Sequence, residues 1–222
     1  MTHTHTHTHR YGKQKQLLND EMQRAKRAQA KSCPRNLLDG LAAVRRVTKE
    51  KKLKGVLGPL IENFTLRSDK MLVPVESTVG NQLFNVIVEQ ESTAATLMKT
   101  LVREKSGRVT FMPIDVVTER KKDAPESQDA FTLLSKLSYD EKISGIMSRV
   151  FGKVLVCRNR QTALSFSKYG GWTCVTLDGE VFNSKGNMSG GYYDMGLSRM
   201  RAQERLKSAT QKLKVIEKEF SN

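Results

Sequence analysis

The chain has 222 residues, 38% of them hydrophobic and 27% charged, with a formal net charge of +15. That is apolar material for one or two compact units, with some length left outside a core. No run of about 18 apolar residues occurs and no charged-then-apolar leader opens the sequence, so neither a membrane span nor a secretory signal is expected. The three cysteines, Cys33, Cys157 and Cys174, form no C-x-x-C pair, which argues against a disulfide framework or zinc knuckle and for a reducing compartment.

The charge is uneven. Residues 1–52 carry 13 basic and 4 acidic side chains, residues 53–118 carry 7 of each, residues 119–194 carry 11 and 9, and residues 195–222 carry 7 and 3. The middle therefore reads as an ordinary folded domain, and the ends read as basic arms suited to a polyanion. All four histidines (His3, His5, His7 and His9) sit in a Thr/His-repeat tail spanning 1–10, which reads as tag-like or low-complexity. No histidine remains elsewhere for a Ser-His-Asp, Cys-His or His-based zinc mechanism.

Residues 11–52 read as an incoming helical arm. Leu18, Met22, Ala25 and Gln29 give a thin heptad, Pro34 interrupts it, and Leu37, Leu41, Val44 and Thr48 resume it before a basic patch at 49–54. Two similar passages follow. Val86–Val88 reads as a strand, 92–105 as a helix and 109–112 as a strand stopped by Pro113; a polar linker spans 119–130. Then Ile143 to Val150 reads as a helix, 154–156 as a strand, 160–169 as a helix and 173–176 as a strand, with Asp178-Gly179 as a tight turn into Val181-Phe182. The order helix, glycine, strand, helix, strand thus recurs around Gly80 and Gly152, predicting an α+β fold of two small lobes, 53–118 and 131–194. In the outgoing arm, 195–222, Ala202, Leu206, Ala209, Leu213, Ile216 and Phe220 keep a strict 3.5-residue period, which asks for a supercoiled partner helix; a lone amphipathic helix lying on the domain is the alternative.

Chemistry is sparse. Met188-Ser189-Gly190-Gly191 resembles the Ser-Gly-Gly signature of transporter-type ATPases, but the phosphate-cradling G-x-x-x-x-G-K-[ST] loop that such chemistry needs does not occur. Asp140-Glu141 and Glu89/Glu91 lie at helix starts, where carboxylates satisfy N–H groups and the helix dipole. No catalytic constellation emerges, and the chain is not expected to be an enzyme. The dense glycines Gly179, Gly186, Gly190 and Gly191, beside Tyr192 and Tyr193, suit a strand that meets another backbone across an interface; an internal turn with two core tyrosines is the alternative. Adjacent tyrosines on a strand face opposite sides, so one points away from its own core. Arg45, Arg46, Lys49, Lys51, Lys52 and Lys54 on the incoming arm, with Arg199 and Arg201 on the outgoing one, are the candidates for sequence-independent contact with DNA phosphates; a merely solvated coil surface is the competing reading.

The pattern resembles the hinge of the structural maintenance of chromosomes family. The resemblance rests on the glycines above, on Gly55-Val56-Leu57-Gly58, on Val79 to Phe84 and on Val109 to Pro113; Val150 to Arg158 and Ser189 to Asp194 are similar to its cohesin branch. It implies a bilobed hinge flanked by antiparallel coiled-coil stumps. Further implications are dimerisation with the hinge of structural maintenance of chromosomes protein 1, closure of a ring around DNA with kleisin and accessory subunits, and weak DNA binding. It also implies a nuclear, chromosomal location and no cofactor in this chain, ATP belonging to head domains that the sequence lacks. A plain nucleic-acid-binding module and an ATPase fragment are the alternative readings.

Overall fold

The computed structural model describes residues 2–118, 123 and 125–220, and their side chains over 12–118, 123 and 125–218. It divides into a helical pair, residues 1–34 and 194–222, and a globular unit, residues 35–193. The side chains of the His/Thr tail and of Phe220, and linker residues 119–122 and 124, lie outside the described residues.

The helical pair joins α1 (Thr2–Lys31) to α7 (Arg199–Phe220). The heptad reading holds: Leu18, Ala209 and Ile216 form a buried seam against which Met22 and Leu213 pack. Lys15 pairs with Glu217 at 2.9 Å, while Gln29 donates to Gln203 at 3.2 Å, so the helices run antiparallel. The partner helix that the 3.5-residue period calls for is in the same chain.

The incoming arm does not run on to residue 52. Residues before proline disfavour the α region, and the helix stops ahead of Pro34. Arg35–Glu50 forms a separate helix, α2, which belongs to the globular unit and buries Gly40, Leu41, Ala43, Val44 and Val47. Glycine makes this docking possible. A Cβ on Gly107 would lie 2.3 Å from the Asn36 carbonyl oxygen and 2.6 Å from the Gly40 nitrogen, and one on Gly40 would lie 2.7 Å from Val109 Cγ2.

The first lobe holds β1 (Val56–Pro59), β2 (Phe64–Leu66), α3 (Leu72–Val79), β3 (Val86–Val88), α4 (Glu91–Glu104) and β4 (Phe111–Pro113). Its sheet order is β1-β3-β4, with β3 parallel to β4 and antiparallel to β1. Pro113 was expected to stop this strand and instead ends it from within; a proline is tolerated on an edge strand because the outward N–H it lacks has no ladder partner.

The second lobe holds β5 (Ala130–Thr132), β6 (Leu137–Tyr139), α5 (Ser144–Phe151), β7 (Val154–Cys157), α6 (Arg160–Gly170), β8 (Thr173–Thr176), β9 (Val181–Phe182) and β10 (Met188–Ser189). Its five-stranded sheet has the order β10-β9-β8-β7-β5, and its one parallel pair is β7 with β8. Both halves of the pseudo-repeat thus yield a parallel strand pair linked by a helix, the arrangement that a strand–helix–strand sequence dictates. Ala130, Leu155, Cys157, Ala163, Trp172, Cys174 and Phe182 form this lobe's core, which makes Cys157 and Cys174 packing thiols.

The lobes share structure. Phe64, Thr65 and Leu66 of β2 pair antiparallel with Tyr139, Ser138 and Leu137 of β6. Phe64 and Phe151 meet edge to face with ring centroids 5.6 Å apart, a favoured aromatic geometry. The Glu89 carboxylate at the end of β3 pairs with Lys142 at the start of the second lobe's helical segment.

Candidate dimerisation edge

The glycine-rich stretch builds a hairpin at one edge of the second lobe's sheet. Thr176 donates to the Glu180 carbonyl at 3.0 Å, and Gly179, with φ +89°, donates back to Thr176 at 3.0 Å, closing the turn between β8 and β9. A second turn follows. Gly186, with φ +91°, donates to the Asn183 carbonyl at 2.9 Å, and Asn183 donates to Asn187 at 2.8 Å. β10 then pairs with β9 through Met188↔Phe182 and Ser189↔Val181 and has no strand on its outer side among the described residues. A free edge of this kind offers unpaired N–H and C=O groups to another chain.

The four glycines play different parts. A Cβ on Gly179 would lie 2.7 Å from both Ser77 Oγ and Val73 Cγ1 of α3, so its bareness serves packing inside the chain. A Cβ on Gly186 or Gly191 would meet nothing within 4 Å, and one on Gly190 would meet Glu180, whose Cγ lies at an ordinary 3.4 Å. These three are exposed. Met188 is 68% exposed beside them, and Tyr192 is 94% exposed, whereas Tyr193 is half-buried. Both tyrosines follow the end of β10 and lie outside any strand, so the strand alternation expected for them does not apply.

One supporting pair was invisible in the sequence. Arg160, the first residue of α6, donates through Nε to Glu180 at 3.2 Å and through Nη2 to the second carboxylate oxygen. This fork holds the β8–β9 turn against α6, whose start is fixed by Asn159 accepting from the Thr162 N–H at 2.8 Å. The Arg160 hydrogen bond draws the Glu180 pKa below its ordinary value and raises that of Arg160.

The basic candidates are less uniform than the charge count implies. Arg45 is ion-paired with Glu62. Arg46 lies between Glu50 and Glu104, and its hydrogen bond to Glu104 raises its pKa while lowering that of the carboxylate. Lys51 donates to the Thr100 hydroxyl at 3.3 Å. Arg199 donates to the Ser32 carbonyl at 2.8 and 3.1 Å, which ties the start of α7 to the end of α1. The ammonium groups of Lys49, Lys52 and Lys54 and the guanidinium of Arg201 have no partner among the described residues and are exposed. No cluster of three or more His, Cys, Asp or Glu suited to a metal occurs among the described residues.

The family model described as SMC proteins Flexible Hinge Domain matches residues 53–167, more than half of the chain. The chain belongs to this hinge family. The match covers the first lobe and runs into α6, stopping before the glycine-rich hairpin. Among curated proteins the hinge is 38% identical over 180 residues to Urease accessory protein 2 of Cryptococcus neoformans var. grubii, covering 81% of this chain and 15% of that protein. It is 34% identical over 189 residues to Structural maintenance of chromosomes protein 3 of Arabidopsis thaliana, covering 85% and 16%. The chain thus spans about one sixth of the length of such relatives. Of solved structures, the folded elbow of cohesin superposes with a TM-score of 0.80 at 27% identity, over 96% of this chain and 32% of that one. An asymmetric dimer of the Geobacillus stearothermophilus SMC hinge domain shares the fold, with a TM-score of 0.64 at 22% identity over 97% and 96%.

Proposed function

We propose that this chain is the hinge of a cohesin subunit of the structural maintenance of chromosomes type, a non-catalytic module that pairs with the hinge of a sister subunit. The observation that carries this reading is the free outer edge of β10, flanked by exposed Gly190, Gly191 and Tyr192. The family membership and the likeness to Structural maintenance of chromosomes protein 3 support it. The expected partner is the hinge of structural maintenance of chromosomes protein 1, which meets this edge through its own first lobe. With kleisin and accessory subunits the pair closes a ring around DNA in the nucleus. A stable contact of this kind covers about 800 Å² on each side around a few anchors, and Tyr192 is the anchor here.

Gly190→Lys tests the edge cleanly. Gly190 has an ordinary φ and room for a Cβ, so the monomer keeps its melting temperature. Sedimentation equilibrium with the partner hinge is expected to show a 1:1 complex for the unmodified chain. The variant should bind at least about 30-fold more weakly, the scale of an interface hot spot. Normal association of the variant would remove β10 from the interface.

A nucleic-acid role is a second reading, favoured by the unpartnered ammonium groups of Lys49, Lys52 and Lys54. Replacing all three by alanine is expected to lower the slope of log affinity against log salt by about 3 on duplex DNA, one unit per phosphate contact. An unchanged slope would place the contacts elsewhere.

A further inference from the structure

Beside the β2–β6 ribbon lies an open cavity of about 410 Å³, away from the β10 hairpin in the fold's strand order. Its walls are Arg67, the hydroxyl residues Thr132, Ser135, Ser138 and Tyr139, and two leucines; no carboxylate lines it. The Arg67 guanidinium and the hydroxyls of Thr132, Ser138 and Tyr139 have no partner among the described residues. Ser135 donates to the Thr132 carbonyl at 2.7 Å, which stiffens the turn between β5 and β6. The Arg67 N–H donates to the Lys136 carbonyl at 3.0 Å and so fixes the arginine backbone at the rim. Lys136 does not line the cavity; its ammonium lies 4.9 Å over the Phe131 ring, which leaves Arg67 as the cation of the lining. The nearby Asp140 carboxylate is already engaged, accepting from the Lys142 N–H at 2.9 Å.

Donors without acceptors, around an arginine fork, select an anion of bidentate geometry. The volume exceeds that of one phosphate and falls in the range of small-ligand pockets, roughly 300–1,000 Å³. Leu134 and Leu137 give the ligand's body an apolar wall. We propose that this cavity binds the phosphate monoester of a small phosphorylated ligand, mononucleotide or sugar phosphate in size, with Arg67 as the anchoring cation.

Calorimetric titration of the full chain tests this, with adenosine monophosphate, adenosine, inorganic phosphate and a short single-stranded oligonucleotide as probes. Adenosine monophosphate is expected to bind saturably and adenosine not at all, with inorganic phosphate weaker than the monophosphate. Arg67→Ala should weaken the monophosphate at least about tenfold, the scale of a lost charge-assisted hydrogen bond, and Arg67→Lys should lie between the two. Arg67 is exposed, so its variants should melt as the unmodified chain does. Tyr139→Phe, which removes one hydroxyl and little volume, should weaken binding by less. The proposal is overturned if adenosine monophosphate does not saturate, if Arg67→Ala binds it equally well, if adenosine binds as tightly, or if only the oligonucleotide shows Arg67-dependent binding.

Discussion

Gly107→Ala should unfasten α2 from the globular unit, and the structure sets the scale. Gly107 has φ +90°, where an L side chain is strained by roughly 1–2 kcal/mol. Its Cβ would also press to 2.3 Å from the Asn36 carbonyl and 2.6 Å from the Gly40 nitrogen, both backbone atoms that no rotamer change can move. Overpacking of this kind typically adds about 1–3 kcal/mol. The total of roughly 2–5 kcal/mol corresponds to a fall of about 4–20 °C in melting temperature for a domain of this size. Gly186 supplies the internal control. Its φ of +91° matches that of Gly107, yet nothing lies within 4 Å of its would-be Cβ. Gly186→Ala therefore measures the backbone strain alone, and the difference between the two variants measures the collision. Urea titrations of both, followed by circular dichroism, give the two free energies. If the variants are equally destabilised, the close packing of α2 on the residue 107 turn does not hold this unit together.

Two further outcomes follow from local geometry. Lys105 ends α4 in the left-handed conformation, φ +51°, a position that favours glycine, so Lys105→Gly should raise stability by about 0.5–1 kcal/mol in a urea titration despite removing a side chain. Glu180 has a folded-state pKa below its unfolded value, so its contribution is complete above the ordinary glutamate range and is lost as pH falls through the lowered value. Glu180→Gln should therefore flatten the acid limb of the stability–pH curve in that window and leave the neutral region with only a small loss; an unchanged acid limb would show that the Arg160 fork is not maintained in solution.

Much of the fold was legible because it is local. Leu206, Ala209, Leu213 and Ile216 announce a seam by spacing alone, and Val154, Leu155 and Val156 announce a buried strand by β-branched and apolar side chains. The β2–β6 ribbon was not legible. Phe64-Thr65-Leu66 and Leu137-Ser138-Tyr139 are three-residue segments with no turn between them, and their pairing is fixed by the surrounding core. The break of the arm was half visible: Pro34 was a known interruption, but the weak heptad continuing through Leu41 and Val44 concealed that these side chains turn to a different partner. At the candidate edge, composition marked a glycine-rich stretch but treated its glycines alike. The fold separates Gly179, which faces α3, from Gly190 and Gly191, which face outward. The basic residues differ among themselves in a way that composition also does not show. Counting charges does not reveal that Arg46 is spent on Glu104 or that Arg199 is spent on a carbonyl oxygen.

The β2–β6 ribbon also bears on how the two halves of the module respond to load. The paired strands and the Phe64–Phe151 contact join the lobes without a covalent bond. A cut in the peptide between the lobes is therefore expected to leave two pieces that still clasp each other through this ribbon.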